Sequence, residues 1–270
     1  MPAPPLDAEL GQRLTEAGVR VEARGRRTDV VLSAPERRNA QSPPFWLALA
    51  DLGVSLRDSA DVVVLRAEGP SFSAGLDRRL LSGDPAAAGA GSLLELASAD
   101  DATVDERIAS YQAGFTVWST GRFLTVAAVQ GHAVGAGFQL ALAADVRIAA
   151  DDAQFCMREP ALGLVPDLGG TGPLVDAVGY ARAVEICATA RWVHADEALA
   201  IGLVQSVVPA GSLLEAVDTF VAAVSANSWP AALATRDLLR GAAGRTRDER
   251  LAAERRAQAA RLRALLGPRG

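Results

Sequence analysis

The chain has 270 residues, half of them hydrophobic and 22% charged, with a formal net charge of -5 at pH 7. That length buries a substantial core, as one domain or as a core with an appendage, and the acidic balance excludes an overall basic footprint for nucleic acid. Two cysteines, Cys156 and Cys187, without a CxxC pair or a matching histidine cluster, argue against a zinc site or a disulfide framework and fit a reducing, cytoplasmic compartment.

Residues 1–18 read as a polar, partly helical extension without the basic n-region and apolar h-region of a signal peptide. Val19 to Ala23 and Asp29 to Leu32, joined by a basic glycine-containing turn, predict a hairpin. Pro35 to Asn39 is a loop, and Pro43/Pro44 open a helix running to about Arg57. Asp61 to Arg66 has the apolar run of a buried strand. Residues 82–103, rich in Gly, Ala, Ser and Asp, predict an irregular loop before a helix from about Val104 to Thr120. A strand from Thr125 to Gln130, a glycine turn, a helix to about Ala144 and a strand from Asp145 to Ala149 follow. This alternation implies an α/β fold. From Val178 onward the pattern is almost entirely helical. The stretch 246–266, with Ala252, Ala259, Leu262 and Leu266 at helical spacing, reads as a packed or oligomer-forming helix rather than a nucleic-acid arm. No apolar run reaches membrane-spanning length without interruption by charge or glycine.

Three segments carry chemistry. In Ser71-Phe72-Ser73-Ala74-Gly75-Leu76-Asp77, small residues let backbone approach a ligand. The glycine turn from Gly131 to Gly137 opens a helix, aiming free N–H groups and the positive end of the helix dipole at an anion or a developing oxyanion. In the third segment, Glu159 and Asp167 flank an apolar stretch, with Gly169-Gly170-Thr171 beyond. Two acids beside apolar surface have carboxyls pushed towards proton exchange near neutrality. Taken singly, the segments also fit ordinary turns, with Glu159 capping a turn and Asp167 N-capping the next helix. Other readings are open at this level. Ser73 and His132 suggest a hydrolase but lack the G-x-S-x-G elbow. Gly135-Ala136-Gly137 begins like a dinucleotide fingerprint but meets Leu140 where a small residue belongs. His132 is placed in the turn and His194 in a helix.

Together the three segments resemble the crotonase, or enoyl-CoA hydratase/isomerase, superfamily. Phe72 to Asp77 matches its aromatic-Ser-Ala-Gly-x-Asp segment, and Gly131 to Gly137 its Gly-x-Ala-x-Gly-Gly-Gly segment with Ala136 for the middle glycine. Glu159 to Thr171 matches its Glu…Gly-Leu-x-Pro-x-x-Gly-Gly-Thr stretch, and Gly202-Leu203-Val204 to Val208-Pro209 a later one. The resemblance implies a spiral of repeated ββα units over 19–190, after the 1–18 extension, and a C-terminal helical oligomerisation region over 191–270. It further implies homotrimers or trimer pairs, an acyl-CoA thioester substrate, no metal, and no cofactor beyond the coenzyme A of the substrate. Leu76 and Ala136 N–H groups would hold the thioester oxygen. Arg37, Arg38, Ala40, Ser73, Ala74, Asp77, Gly135 and Pro166 would line the substrate site, with Arg78 and Arg79 further candidates for the CoA phosphates. The family's hydratases use two glutamates, and this chain has Gln139 at one position and Glu159 at the other. Glutamine hydrogen-bonds water but exchanges no proton at neutral pH. Asp167 matches an acid found in the family's isomerases. The resemblance therefore points to enoyl-CoA double-bond isomerisation by Asp167 and Glu159. The alternatives are hydration by Glu159 with Gln139 positioning water, and an acyl-CoA-binding homologue without turnover.

Overall fold

The computed structural model describes residues 7–81 and 93–266. The chain divides into two compact units, residues 1–217 and 218–270. The first opens with helix α1 (Ala8–Glu16), capped by Asp7, whose carboxylate accepts Glu9 N–H. Leu10 and Leu14 of α1 are buried, so these residues of the expected extension are part of the hydrophobic core. Strands β1 (Val19–Arg24) and β2 (Arg27–Leu32) form the predicted hairpin. Helix α2 (Pro43–Ser55) starts on Pro43, where a missing N–H costs nothing. Strand β3 (Val62–Ala67) lies parallel to β2.

The segment expected to be irregular over 82–103 contains a short helix, α3 (Leu93–Ala97), and the start of α4 (Asp101–Thr120); residues 82–92 lie outside the described residues. Helix α4 begins three residues before the expected Val104 because the Asp100 carboxylate accepts Thr103 N–H at 3.0 Å. Gly114 lets α4 approach α2 closely, since a Cβ there would lie 2.2 Å from the Trp46 carbonyl oxygen.

Two sheets then build in alternation. Strands β4 (Leu124–Val129), β6 (Val146–Ala150) and β9 (Ser206–Val208) join β1, β2 and β3 in a six-stranded sheet of order β1-β2-β3-β4-β6-β9, parallel apart from β1. Strands β5 (His132–Val134), β7 (Gln154–Cys156) and β8 (Val193–His194) form a smaller sheet. The chain enters the large sheet in β4, the small one in β5, then helix α5 (Ala136–Leu142), and repeats with β6 and β7. An earlier turn follows the same path: after β3, Ser73 bridges Ala133 in parallel. The architecture is the crotonase-like spiral of ββα units that the motifs implied.

Beyond β7 come α6 (Thr171–Val178), α7 (Tyr180–Thr189), α8 (Ala195–Ala200) and α9 (Leu213–Ser225). The expectation of an almost wholly helical chain after Val178 is corrected by β8 and β9. Each has only two or three residues, too few for period-2 alternation to show. His194 accordingly sits in β8, paired with Gln154, rather than in a helix. His132 is in β5 rather than the turn. The second unit holds α10 (Trp229–Arg240) and α11 (Arg247–Leu265), which pack together. Thr246 and Glu249 close a capping box on α11, as the helical reading of 246–266 requires. Among the described residues no helix is long and apolar enough to cross a membrane.

Candidate active site

The repeat of the spiral brings the two glycine segments side by side. Phe72 N–H donates to Gln130 O at 2.9 Å, Ser73 N–H to His132 O at 2.9 Å, and Val134 N–H to Ser73 O at 3.0 Å. Leu76 and Ala136 each follow three residues after the bridged pair Ser73 and Ala133. They therefore occupy equivalent places in successive turns. Gly75 must be glycine here: its φ is +79°, and a Cβ would lie 2.3 Å from Val134 O and 3.4 Å from Ala136 N. Gly135, at φ +50°, turns the chain into α5 while its N–H donates to Cys156 O at 2.8 Å.

Both following amides are left over. The carbonyl of the Gly75–Leu76 peptide accepts Gln41 N–H at 2.7 Å. In a trans peptide the N–H points the other way, so Leu76 N–H faces away from Gln41. Ala136 is the first residue of α5, where an N–H has no intrahelical acceptor. Among the described residues neither N–H finds a protein acceptor. Leu76 and Ala136 both line a cavity of about 350 Å³.

Two carboxylates line the same cavity. Glu159 opens a 3-10 turn, Glu159–Leu162, after β7, but does not cap it: Arg158 holds the cap position and no side chain bonds there. Its Oε1 accepts Gln139 Nε2–H at 2.7 Å, and a Cβ on Gly135 would lie 3.2 Å from that oxygen. Its Oε2 is buried without a partner among the described residues. Leaving such an atom unmade costs about 1–3 kcal/mol or more, a feature that calls for a functional reason. Burial, and after it the nearby charge of Asp167, pushes the Glu159 carboxyl above its ordinary range against the hydrogen bonds it accepts. Burial likewise raises Asp167. The Asp167 backbone is tied to α4 through its carbonyl, which accepts Gln112 Nε2–H at 2.7 Å. Asp167 does not N-cap the next helix: α6 starts at Thr171 with Gly170 in the cap position.

Gln139 lies behind the acids, only 1% exposed and outside the cavity lining. Its Oε1 accepts Leu168 N–H at 2.9 Å and Gly170 N–H at 3.2 Å. Two donors on the oxygen and a carboxylate at the nitrogen assign the amide orientation. Gln139 thus braces Glu159 directly and the Asp167 loop through its two neighbouring amides.

Of the other candidates, Ala74, Gly135 and Arg78 line the cavity, whereas Arg37, Arg38, Ala40, Ser73, Asp77 and Pro166 do not. Ser73 is fully buried and braces the loop, its Oγ donating to Asn39 O at 2.7 Å and accepting Gly75 N–H at 3.1 Å. Ser71, not Ser73, meets His132, at 3.2 Å from Nδ1; with Ser71 1% exposed, a serine-hydrolase arrangement finds no support. Asp77 pairs with Arg79 at 2.5 Å and, more distantly, with Arg37 at 3.9 Å. The Arg79 hydrogen bond chiefly holds the Asp77 carboxyl below its ordinary range. Arg38 is exposed with φ 50°, and its carbonyl accepts Ala74 N–H at 2.9 Å. Ala40 and Pro166 are half-buried. Among the described residues no group of three or more His, Cys, Asp or Glu is placed to hold a metal ion.

A family model described as enoyl-CoA hydratase/isomerase matches residues 28–263. The chain belongs to the enoyl-CoA hydratase/isomerase family. A solved structure from Thermobifida fusca, provisionally named an enoyl-CoA hydratase and bound to acetoacetyl-CoA, is 43% identical. It superposes with a TM-score of 0.86, covering 94% of this chain and 98% of that one. A Mycobacterium tuberculosis protein, also provisionally named an enoyl-CoA hydratase, is 31% identical over 84% of this chain and 82% of its own length. The peroxisomal Δ(3,5)-Δ(2,4)-dienoyl-CoA isomerase of Arabidopsis thaliana is 31% identical over 78% of this chain and 76% of its own. Curated relatives named for hydration and for isomerisation thus share the same 31% identity with this member of the family, while the Thermobifida fusca structure is more similar at 43%.

The lining of this enoyl-CoA hydratase/isomerase family member also includes residues that the motifs did not single out. Trp46 and Tyr111, with ring centroids 5.2 Å apart, form one apolar part together with Val104 and Ile108 of α4. Leu162, Leu164 and Val165, between the two acids, form another and are 44%, 41% and 72% exposed. These three belong to the apolar stretch already visible in sequence between Glu159 and Asp167, whereas Trp46, Tyr111, Val104 and Ile108 carry no local signal of a lining role. Arg158 adds a cation to the lining.

Proposed function

We propose that this chain isomerises enoyl-CoA thioesters, moving a 3-enoyl double bond into conjugation. The acyl-CoA ligand is supported by the family and by the Thermobifida fusca relative bound to acetoacetyl-CoA. In this reading the thioester oxygen accepts Leu76 and Ala136 N–H, each such donor being worth about 2.7–4 kcal/mol in the transition state. The thioester acidifies C2. The Asp167 carboxylate takes the C2 proton, the dienolate rests on the two N–H groups, and the proton returns at C4 with Glu159 as partner. No bond to water is made, and no cofactor is consumed. Arg37, Arg38, Arg78 and Arg79 are the proposed contacts for the CoA phosphates, Arg79 and, more distantly, Arg37 also pairing with Asp77. Trimeric assembly, which rests on the resemblance, and a cytoplasmic location, which rests on the cysteine usage, belong to the same proposal.

The observation that carries the choice is the bonding of Gln139. Its oxygen is taken up by Leu168 and Gly170 N–H and its nitrogen faces Glu159. It therefore supplies neither a second acid nor an open amide facing the cavity to position water. Asp167 is the second carboxylate in the lining instead. Carboxyls raised by burial are suited to this work, because a stronger conjugate base abstracts a weakly acidic C–H proton more readily.

Purified protein is expected to convert 3-enoyl-CoA to trans-2-enoyl-CoA, and Asp167→Asn to abolish this while the fold melts normally. Full activity in the Asn variant would sink the assignment. A hydratase reading draws on one feature, the unpartnered Glu159 Oε2, which has the lone pairs to hold a water. Fast, Glu159-dependent hydration of 2-enoyl-CoA would establish it instead.

A further inference from the structure

Gln41 is a fully buried amide, 0% exposed, between the 35–40 loop and α2. Its backbone brackets Leu76, with Gln41 N–H donating to Gly75 O at 2.7 Å and Asp77 N–H donating to Gln41 O at 2.9 Å. The side chain makes a second link. Trp46 Nε1–H donates to Gln41 Oε1 at 2.9 Å, and Gln41 Nε2–H donates to Ser73 Oγ at 3.1 Å. The same Ser73 Oγ accepts Gly75 N–H at 3.1 Å. An unbroken chain of buried hydrogen bonds thus runs from an indole in the cavity wall to the residue before the Leu76 donor. Leucine would fill a similar volume but leave the buried Trp46 Nε1–H without its acceptor and Ser73 Oγ without its Gln41 donor. The amide is therefore the group that joins the indole to the loop before Leu76.

We propose that Gln41 is a positioning residue that makes the placement of the Leu76 N–H depend on the Trp46 ring. The acyl chain packing on Trp46 then sets how well the thioester carbonyl is polarised, so chain fit is read in the rate more than in binding. This rests on the reading that Leu76 N–H contacts the thioester oxygen. Trp46 is held from its other side by Tyr111, also in the lining, and by Phe115 at 6.1 Å between ring centroids. The ring is thereby packed against α4 while lining the cavity.

The test is infrared spectroscopy of bound hexanoyl-CoA carrying carbon-13 at the thioester carbonyl, run beside kcat and KM for 3-enoyl-CoA esters of several lengths. Wild-type protein is expected to shift the carbonyl band to lower frequency than in free ester. Gln41→Leu should lose most of that shift and about tenfold in kcat, less than the roughly 10²–10³-fold typical of deleting such a donor outright, with KM little changed. Trp46→Phe keeps an aromatic wall without the N–H and should move both readouts the same way, by less. The double variant should be no worse than Gln41→Leu, because both act through one chain. Wild-type band and kcat in the single variants, or falls that multiply in the double variant, would overturn the coupling. Should Gln41→Leu not fold, an unchanged band and kcat in Trp46→Phe overturns it alone. Absence of any band shift in wild type is a different failure: it removes the Leu76 contact itself, and the coupling with it.

Discussion

Leu76 and Ala136 contribute backbone N–H groups to the cavity, whereas Glu159 and Asp167 contribute carboxylates. The first pair is held by the fold: strand bridges, the Gly75 and Gly135 turns and the bonds from Gln41 and Cys156 leave the peptides little freedom. The donor is a backbone group at either position, which is why alanine at the buried position 136 keeps it. The second pair depends on side-chain chemistry. A one-atom change alters its protons; burial raises both carboxyls, and Glu159 is further tuned by the hydrogen bond from Gln139 and the charge of Asp167. In the proposed reaction the donors belong to the architecture and the proton transfer to individual residues, which fits a family whose members are named both as hydratases and as isomerases.

Substitutions separate the two halves. Asp167→Asn, on the carboxylate side, is expected to have the largest effect, a fall of roughly 10²–10⁴-fold in isomerisation kcat with bound acyl-CoA retained. On the donor side, Gly75→Ala should cost about 10²–10³-fold, because its Cβ meets Val134 O at 2.3 Å and displaces the Leu76 peptide. Here the melting temperature should fall too, which distinguishes it from Asp167→Asn. Gln139→Glu replaces the donor at Glu159 with a second carboxylate, so isomerisation should drop and hydration of 2-enoyl-CoA should rise roughly tenfold. Steady-state assays on both substrates measure the exchange. The smallest effect is expected for Ala136→Gly, which keeps the N–H: kcat within about twofold, and roughly 0.5–1 kcal/mol of stability lost in denaturant titration.

The pH response sharpens the same contrast. Glu159 and Asp167 have folded pKa values above their ordinary ones. The folded state therefore holds these protons more tightly than the unfolded one. Their contribution to stability is fully present below the ordinary carboxylate range and is lost as pH rises through the raised values. Activity runs the other way, since the base must be ionised. Over that window kcat/KM should rise while the melting temperature falls, and Asp167→Asn should flatten its share of the melting trend. The backbone donors contribute to neither slope.

The donor half was the more legible in sequence. Gly75 and Gly135 mark turns that need positive φ, and the alternation of strand and helix over 62–150 indicates the α/β class. That Leu76 and Ala136 become neighbours follows from the register of one spiral turn on the next, a long-range relation that no local pattern carries; the family motifs stood in for it. The strands β8 and β9 were hidden by their shortness. Gln41 and Trp46 were invisible for another reason: a lone glutamine before a proline-led helix reads as loop, and its role exists only once α2 packs on α4 at Gly114. Gln139 stands out in sequence as a departure from the family's glutamate, but its function as a brace depends on Leu168 and Gly170, 29 and 31 residues further along the chain.

The most direct measurement gives wild-type protein 3-enoyl-CoA and trans-2-enoyl-CoA of the same chain length in separate reactions and compares kcat/KM for isomerisation and hydration. The bonding of Gln139 predicts isomerisation faster by about tenfold or more, lost in Asp167→Asn. Hydration equal to or faster than isomerisation, dependent on Glu159 and indifferent to Asp167, would contradict it.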